Sequence, residues 1–206
     1  MNRPSRRWQA AAGYLVDLYC FASARFVNPH SYLKFLRLNE VRKQSGAHVF
    51  IETGTYLGIT AYRCSAMFGA VYTIEIKPEL AAAAARFLAR RQNVQVICGD
   101  ASVELQKIFE SASFDRALVF LDGHFSGGGT GSGKLPEPAL EELQLLAKFK
   151  HRIGAIVIDD FRSFGTEAYF PLKSELLRAG EELFPEFRLS VSFDQCTLLQ
   201  PFWRRE

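Results

Sequence analysis

The sequence has no CxxC pair. Its four cysteines, Cys20, Cys64, Cys98 and Cys196, are widely scattered. That argues against a structural zinc site, and three of them read as reduced core thiols of the kind a cytoplasmic protein keeps. A strong charge imbalance is also missing. Net charge is +3, from 25 Lys and Arg against 22 Asp and Glu, and the aromatics are not interleaved with a basic run, so no nucleic-acid partner is expected. No long hydrophobic run exists either. The apolar stretch 10–20 follows Arg3, Arg6 and Arg7, but Asp17 interrupts it and Gln9 and Gly13 weaken it. It is too short and too polar to span a bilayer, although Ala22-Ser23-Ala24 imitates a signal cleavage site. An amphipathic helix packed on the domain, or on a second copy in a homodimer, is the expectation there. Loose membrane-surface contact through the arginines and Trp8 is the weaker alternative. Repeats and linkers are absent as well. With 206 residues, 48% hydrophobic and 23% charged, the chain suits one globular domain.

What is present is an alternation. Residues 1–45 read as helical, with breaks at Asn28-Pro29 and Ser45-Gly46. From His48 onward short apolar strands (48–53, 70–76, 94–98, 117–121, 155–158) alternate with helices (59–67, 79–91 behind Pro78, 101–110, 139–149, 169–179). The segments 187–192 and 196–200 read as a terminal antiparallel hairpin. This order predicts an α/β fold: a Rossmann-like, mostly parallel seven-stranded sheet, helices on both faces, and the hairpin on one edge. The expected division is an N-terminal helical extension over 1–46, serving as cap or interface, and a single domain over 47–206.

The first strand runs into Glu52-Thr53-Gly54-Thr55-Tyr56-Leu57-Gly58, a glycine-punctuated turn that opens a helix. Glu75 ends the next strand about twenty residues on, the spacing expected for gripping a ribose diol. A nucleoside-containing cofactor follows as the expectation. A nicotinamide Rossmann domain would want G-x-G-x-x-G, which the chain lacks.

The parallel order, the terminal hairpin and Glu52-x-Gly54-x-x-x-Gly58 resemble class I S-adenosylmethionine-dependent methyltransferases, from His48 to the C-terminus. Tyr56 departs from the commoner pattern, which has a middle glycine there. The resemblance implies S-adenosylmethionine (SAM) as cofactor, bound through Glu52, Gly54, Thr55, Gly58, Glu75, Asp100 and Ala101. Gly54 and Gly58 would approach its methionine part, Glu75 its ribose hydroxyls, and Asp100 its adenine amine. Asp100 is equally placed to be a helix N-cap.

Leu121-Asp122-Gly123-His124 ends the fourth strand and Ile158-Asp159-Asp160-Phe161 the fifth. In open α/β sheets the ligand crevice lies outside the strand carboxyl ends, so these carboxylates should converge on the acceptor. Their mutual repulsion would be relieved by a divalent cation with oxygen ligands. The arrangement resembles metal-dependent O-methyltransferases of the catechol and macrolide-sugar types. That resemblance implies Mg2+ held by Asp122, Asp159 and Asp160, with Asp122 and His124 as the catalytic pair and His124 as general base. Adjacent Asp159 and Asp160 can both ligate only if the chain turns there. The alternative is that Asp122 serves only the cofactor and Asp160 caps a turn. The phrase Leu-Asp-Gly-His-Phe-Ser-Gly-Gly also resembles a bacterial group of methyltransferase-like proteins.

Segment 126–134, Ser-Gly-Gly-Gly-Thr-Gly-Ser-Gly-Lys, partly imitates a phosphate-binding P-loop. Leu135 replaces the Ser or Thr such a loop needs, and prolines follow where its helix should begin. It reads better as a loop over substrate, with Lys134 available to an anionic group. The expected activity is transfer of a methyl group to a hydroxyl of a small molecule: a sugar, a polyketide or an aromatic ring. The competing readings are a non-catalytic partner protein of the same fold and a metal-independent N-methyltransferase.

Overall fold

The structure, a computed structural model, describes residues 15, 19, 31–123 and 137–202. Most of the N-terminal segment, His124 and the glycine-rich segment 126–134 with Lys134 therefore lie outside the described residues. Among those described, no helix is long and apolar enough to cross a membrane.

The chain order is α1 (Ser31–Ser45), β1 (Val49–Thr53), α2 (Ile59–Cys64), β2 (Ala70–Glu75), α3 (Pro78–Leu88), β3 (Val94–Cys98), α4 (Ala101–Ser111), β4 (Ala117–Leu121), α5 (Ala139–Ala147), β5 (Ile153–Ile158), α6 (Lys173–Leu183), β6 (Arg188–Ser192) and β7 (Gln195–Leu199). The strands form one seven-stranded sheet in the order β3-β2-β1-β4-β5-β7-β6. Pairings among β1 to β5 are parallel, and β7 runs antiparallel to both β5 and β6. The Rossmann-like sheet with its terminal hairpin is thus as expected.

Strand alternation explains the two cores. Successive side chains point to opposite faces. Val49, Ile51, Val119 and Leu121 therefore join Leu105 and Phe109 of α4, Leu143 and Leu146 of α5 and Leu176 of α6. Phe50, Leu118 and Phe120 instead join Leu38 and Val41 of α1, Ala61 and Cys64 of α2 and Ala84 and Leu88 of α3. The β1, β4 and β5 residues are buried throughout, as central parallel strands require, while the outer β3 and β6 are partly exposed. Of the described cysteines, Cys64 and Cys196 are buried thiols and Cys98 is exposed.

One helix differs from expectation. The segment 169–179 was expected to be helical, but α6 begins four residues later. Pro171 has no N–H and disfavours helical backbone before it. The start is set instead by Glu175, whose Oε2 accepts from the Leu172 N–H at 2.8 Å. The hairpin turn is a two-residue loop, Phe193-Asp194, with φ of 50° and 64°. That pair of left-handed residues matches the twist of the strands it joins.

The chain leaves β1 toward β2 and β3, then returns across β1 to β4 and β5. The carboxyl ends of β1 and β4 therefore flank the point where the direction of winding reverses, where ligands bind in this architecture.

Candidate active site

On the β1–β2–β3 side the site is made by backbone. The Gly54 and Thr55 N–H groups both donate to the Ile74 carbonyl, at 3.0 and 3.1 Å. Gly54 has φ 86°, and a Cβ there would lie 2.2 Å from the Asp122 carbonyl oxygen. Only glycine lets this turn sit against the exit of β4. Tyr56 occupies the left-handed region with φ 47°, the conformation a middle glycine would take, at a cost of about 1–2 kcal/mol. Its N–H donates to Glu75 Oε2 at 2.8 Å, and Lys77 N–H donates to Oε1 at 3.0 Å. Glu75 is thereby fixed at the end of β2, beside the turn.

Gly58 has φ 74°, a left-handed conformation that favours glycine, and a Cβ there would also meet Leu88 at 3.2 Å and Ala84 at 3.5 Å, so α3 packs against its bare face. Glu52 is sealed beneath the turn at 1% exposure. Thr73 Oγ1 donates to its Oε2 at 2.6 Å, and Thr55 and Thr73 hydroxyls lie 2.6 Å apart. Burial pushes the Glu52 carboxyl up to about 8; the Thr73 bond opposes that push, and the charges of Asp122 and Glu75 add to it. Glu52 is therefore a mostly neutral acid that braces the turn from below. Asp100 caps α4, whose first residue is Ala101: its Oδ1 accepts from the Ser102 N–H at 3.0 Å and from the Ser102 hydroxyl. Gly99 N–H donates to the Glu75 carbonyl at 3.0 Å, which brings the ends of β2 and β3 side by side.

On the β4–β5–β7 side the site is made by side chains. Asp122 follows β4 and Asp159 follows β5. Asp160 has φ 49°, so the chain does turn between the adjacent acids. What lies among them is Lys34 of α1. Its ammonium is paired with Asp159 Oδ2 and stands 3.9 Å from Asp160 Oδ1. Burial pulls the Lys34 pKa down, but Asp122, Asp159 and Asp160 together hold it above the ordinary lysine range. Asp159 is 1% exposed, and its Oδ1 accepts from Gln195 Nε2 at 3.1 Å. Asp160 Oδ1 accepts from the Arg162 guanidinium at 2.8 Å. That guanidinium also pairs with Asp194, whose Oδ1 accepts from the Arg162 N–H at 2.7 Å.

The metal set expected from sequence thus assembles around an ammonium. Both Asp159 oxygens are engaged, and among the described residues no group of three or more His, Cys, Asp or Glu is arranged to hold a metal ion. A divalent cation needs several oxygens at about 2.0–2.6 Å, and here Lys34 and Arg162 hold those of Asp159 and Asp160. The described residues do not fit the metal. Lys34, Arg162, Asp194 and Gln195 were not singled out from the sequence. Lys34 has no acidic neighbour in sequence; only the docking of α1 over β4 and β5 creates its contacts. Arg162, two residues after Asp160, was the one local signal.

The SAM set fares differently. Carboxylates at the ends of β2 and β3 and a glycine turn at the end of β1 line one edge of the sheet at its switch point, and this donor set fits a nucleoside cofactor.

No protein-family model matches the chain, and no curated protein matches it. Solved structures do. The O-methyltransferase TomG from Streptomyces achromogenes, in complex with SAM, is 18% identical with a TM-score of 0.59, covering 96% of this chain and 89% of TomG. An O-methyltransferase from Bacillus cereus, in complex with S-adenosylhomocysteine (SAH), is also 18% identical with a TM-score of 0.59, covering 97% and 92%. Precorrin 8w decarboxylase from Methanobacterium thermoautotrophicum is 19% identical with a TM-score of 0.51, covering 80% and 87%. At such identities the likeness is one of architecture, and the chain has the class I methyltransferase fold.

Proposed function

We propose that this protein is a SAM-dependent methyltransferase acting on a hydroxyl of a small molecule. The observation that carries the reading is the Glu75 carboxylate, pinned by the Tyr56 and Lys77 N–H groups beside the Gly54 turn. A carboxylate held in this way keeps lone pairs free to accept from a pair of ribose hydroxyls, which supports the reading. The two O-methyltransferases described above, one with SAM and one with SAH, support the same assignment.

When bound, SAM supplies an electrophilic methyl group on a sulfonium sulfur. Glu75 would hold the ribose, and the Asp100 end of β3 would flank the adenine. The chain's task is then alignment of two reactants, which accounts for most of the rate in a displacement of this kind. The acceptor would lie against Asp122 at the end of β4. His124, two residues further along the sequence, is our candidate to take the hydroxyl proton. The step through magnesium that the sequence pattern implied is not part of this proposal, because Lys34 holds the acids that would bind it.

Titration calorimetry of SAH into the protein tests the reading. Binding near micromolar, about −8 kcal/mol, is expected, and Glu75→Gln should weaken it by about tenfold, equivalent to one lost charged hydrogen bond. Absence of binding to the wild type would overturn the assignment and favour the non-catalytic reading.

A further inference from the structure

We infer that Lys34 takes the place of the divalent cation: the acceptor oxygen meets an ammonium built into the chain, and methyl transfer proceeds without a metal. This rests on the methyltransferase reading, which makes the edge formed by β4 and β5 the acceptor side.

The charge arrangement carries it. Lys34 is paired with Asp159 and stands 3.9 Å from Asp160, so acids whose repulsion in a metal-dependent site an ion would relieve have a cation from the protein's own side chains. Asp159 is sealed and its two oxygens are taken, one by Gln195 and one by Lys34. The second cation, Arg162, neutralises Asp160 and is itself anchored to Asp194 at the hairpin turn. The cluster therefore bridges α1, the residue after β4, the residues after β5 and the β6–β7 turn. A metal could enter only by expelling an ammonium whose stem is held by α1. The Lys34 side chain retains 15% exposure, whereas that of Asp159 has none.

The substitution has a consequence for substrate class. A divalent ion grips two neighbouring oxygens and so favours vicinal hydroxyls. An ammonium donates single hydrogen bonds without a fixed coordination number, so an isolated hydroxyl suffices. As the hydroxyl gives its proton to a base, negative charge develops on that oxygen, and a fixed positive charge beside it stabilises the alkoxide; the alkoxide then attacks the methyl carbon and the sulfonium leaves as a neutral thioether.

Manganese binding, followed by electron paramagnetic resonance on the full chain with and without SAH, tests this without knowledge of the acceptor. Wild type should leave added Mn2+ free at millimolar concentration. Lys34→Gln should acquire a Mn2+ site, and Lys34→Gln with Asp159→Asn should lose it again. Tight Mn2+ binding by wild type that Asp159→Asn removes would overturn the inference. So would a folded Lys34→Gln variant, checked by circular dichroism, that gains no Mn2+. If that variant does not fold, the wild-type titration still decides. Failure of SAH to bind wild type is a separate outcome, which overturns the methyltransferase reading and with it the role of Lys34 in methyl transfer; the Mn2+ titrations then decide only whether Lys34 keeps a metal out of the cluster.

Discussion

The two halves of the site neutralise their acids by different means. On the β1–β3 side, Glu75 and Asp100 are met by backbone N–H groups, two from residues two positions further on and one from Tyr56 in the turn after the neighbouring strand β1. On the acceptor side, Asp159 and Asp160 are met by cationic side chains, one of them from a helix far away in sequence. Backbone donors come with the fold and suit a ligand common to many proteins of this architecture. Side-chain partners can be exchanged one at a time, and they suit a ligand that differs between them. Under the proposed function, the contrast puts specificity on the β4–β5 side and leaves the β1–β2 side generic.

The largest expected effect breaks the acceptor half. Lys34→Met leaves Asp159 at 1% exposure without its cation. Removing one partner of a buried ion pair costs about 3–5 kcal/mol. Glu75→Gln, which keeps an acceptor for at least one backbone N–H, should cost about 1.5 kcal/mol. Urea denaturation of both variants measures the difference. Equal losses would mean that the two halves are not held differently after all.

A second effect is a dependence on pH that originates between the halves, at Glu52. Its folded pKa, about 8, lies above its ordinary value of 4.5. The folded state therefore keeps a proton that the unfolded state releases. Stability should fall as pH rises from about 4.5 to about 8, by at most about 1.4 kcal/mol per unit from this group, and level off above. Thermal melts across that range should show the slope, and Glu52→Gln, which keeps an acceptor for Thr73, should flatten it. A slope unchanged in the variant would place its origin elsewhere.

The same contrast explains what the sequence revealed. Strand alternation, the glycine turn and the acid about twenty residues later are short-range patterns, and they pointed to the mostly parallel sheet, its terminal hairpin and Glu75 at a strand end. Even Tyr56 in place of a glycine was legible as a departure, and its φ of 47° shows the turn kept its shape. The acids after β4 and β5 were also legible. Their partner was not, because nothing in Ser31–Ser45 marks Lys34 as a residue that will be buried among carboxylates; repulsion among acids calls for a cation without saying whether it is an ion or a side chain. The packing of Leu88 and Ala84 against Gly58 was not legible for a related reason: both arrive from the following helix. The start of α6 was missed because Pro171 and the Glu175 cap outweighed the apolar pattern.

The smallest expected effect sharpens the cofactor half. Asp100 has one role that is seen and one that is proposed: its Oδ1 caps α4 through Ser102, and the same carboxylate is proposed to meet an adenine amine. Asp100→Ser separates them. Serine caps nearly as well as aspartate, so stability should change by only about 0.5 kcal/mol, whereas Asp100→Ala should lose about 1 kcal/mol. Serine's hydroxyl is shorter and uncharged, so if the carboxylate also contacts the cofactor, SAH affinity should drop severalfold in both variants by calorimetry. If affinity is retained in Asp100→Ser and lost only in step with stability in Asp100→Ala, the residue is a cap alone. Recognition of the adenine would then fall to the apolar surface and backbone around Ala101, and the cofactor half would be even more a product of backbone than the contrast with Lys34 already implies.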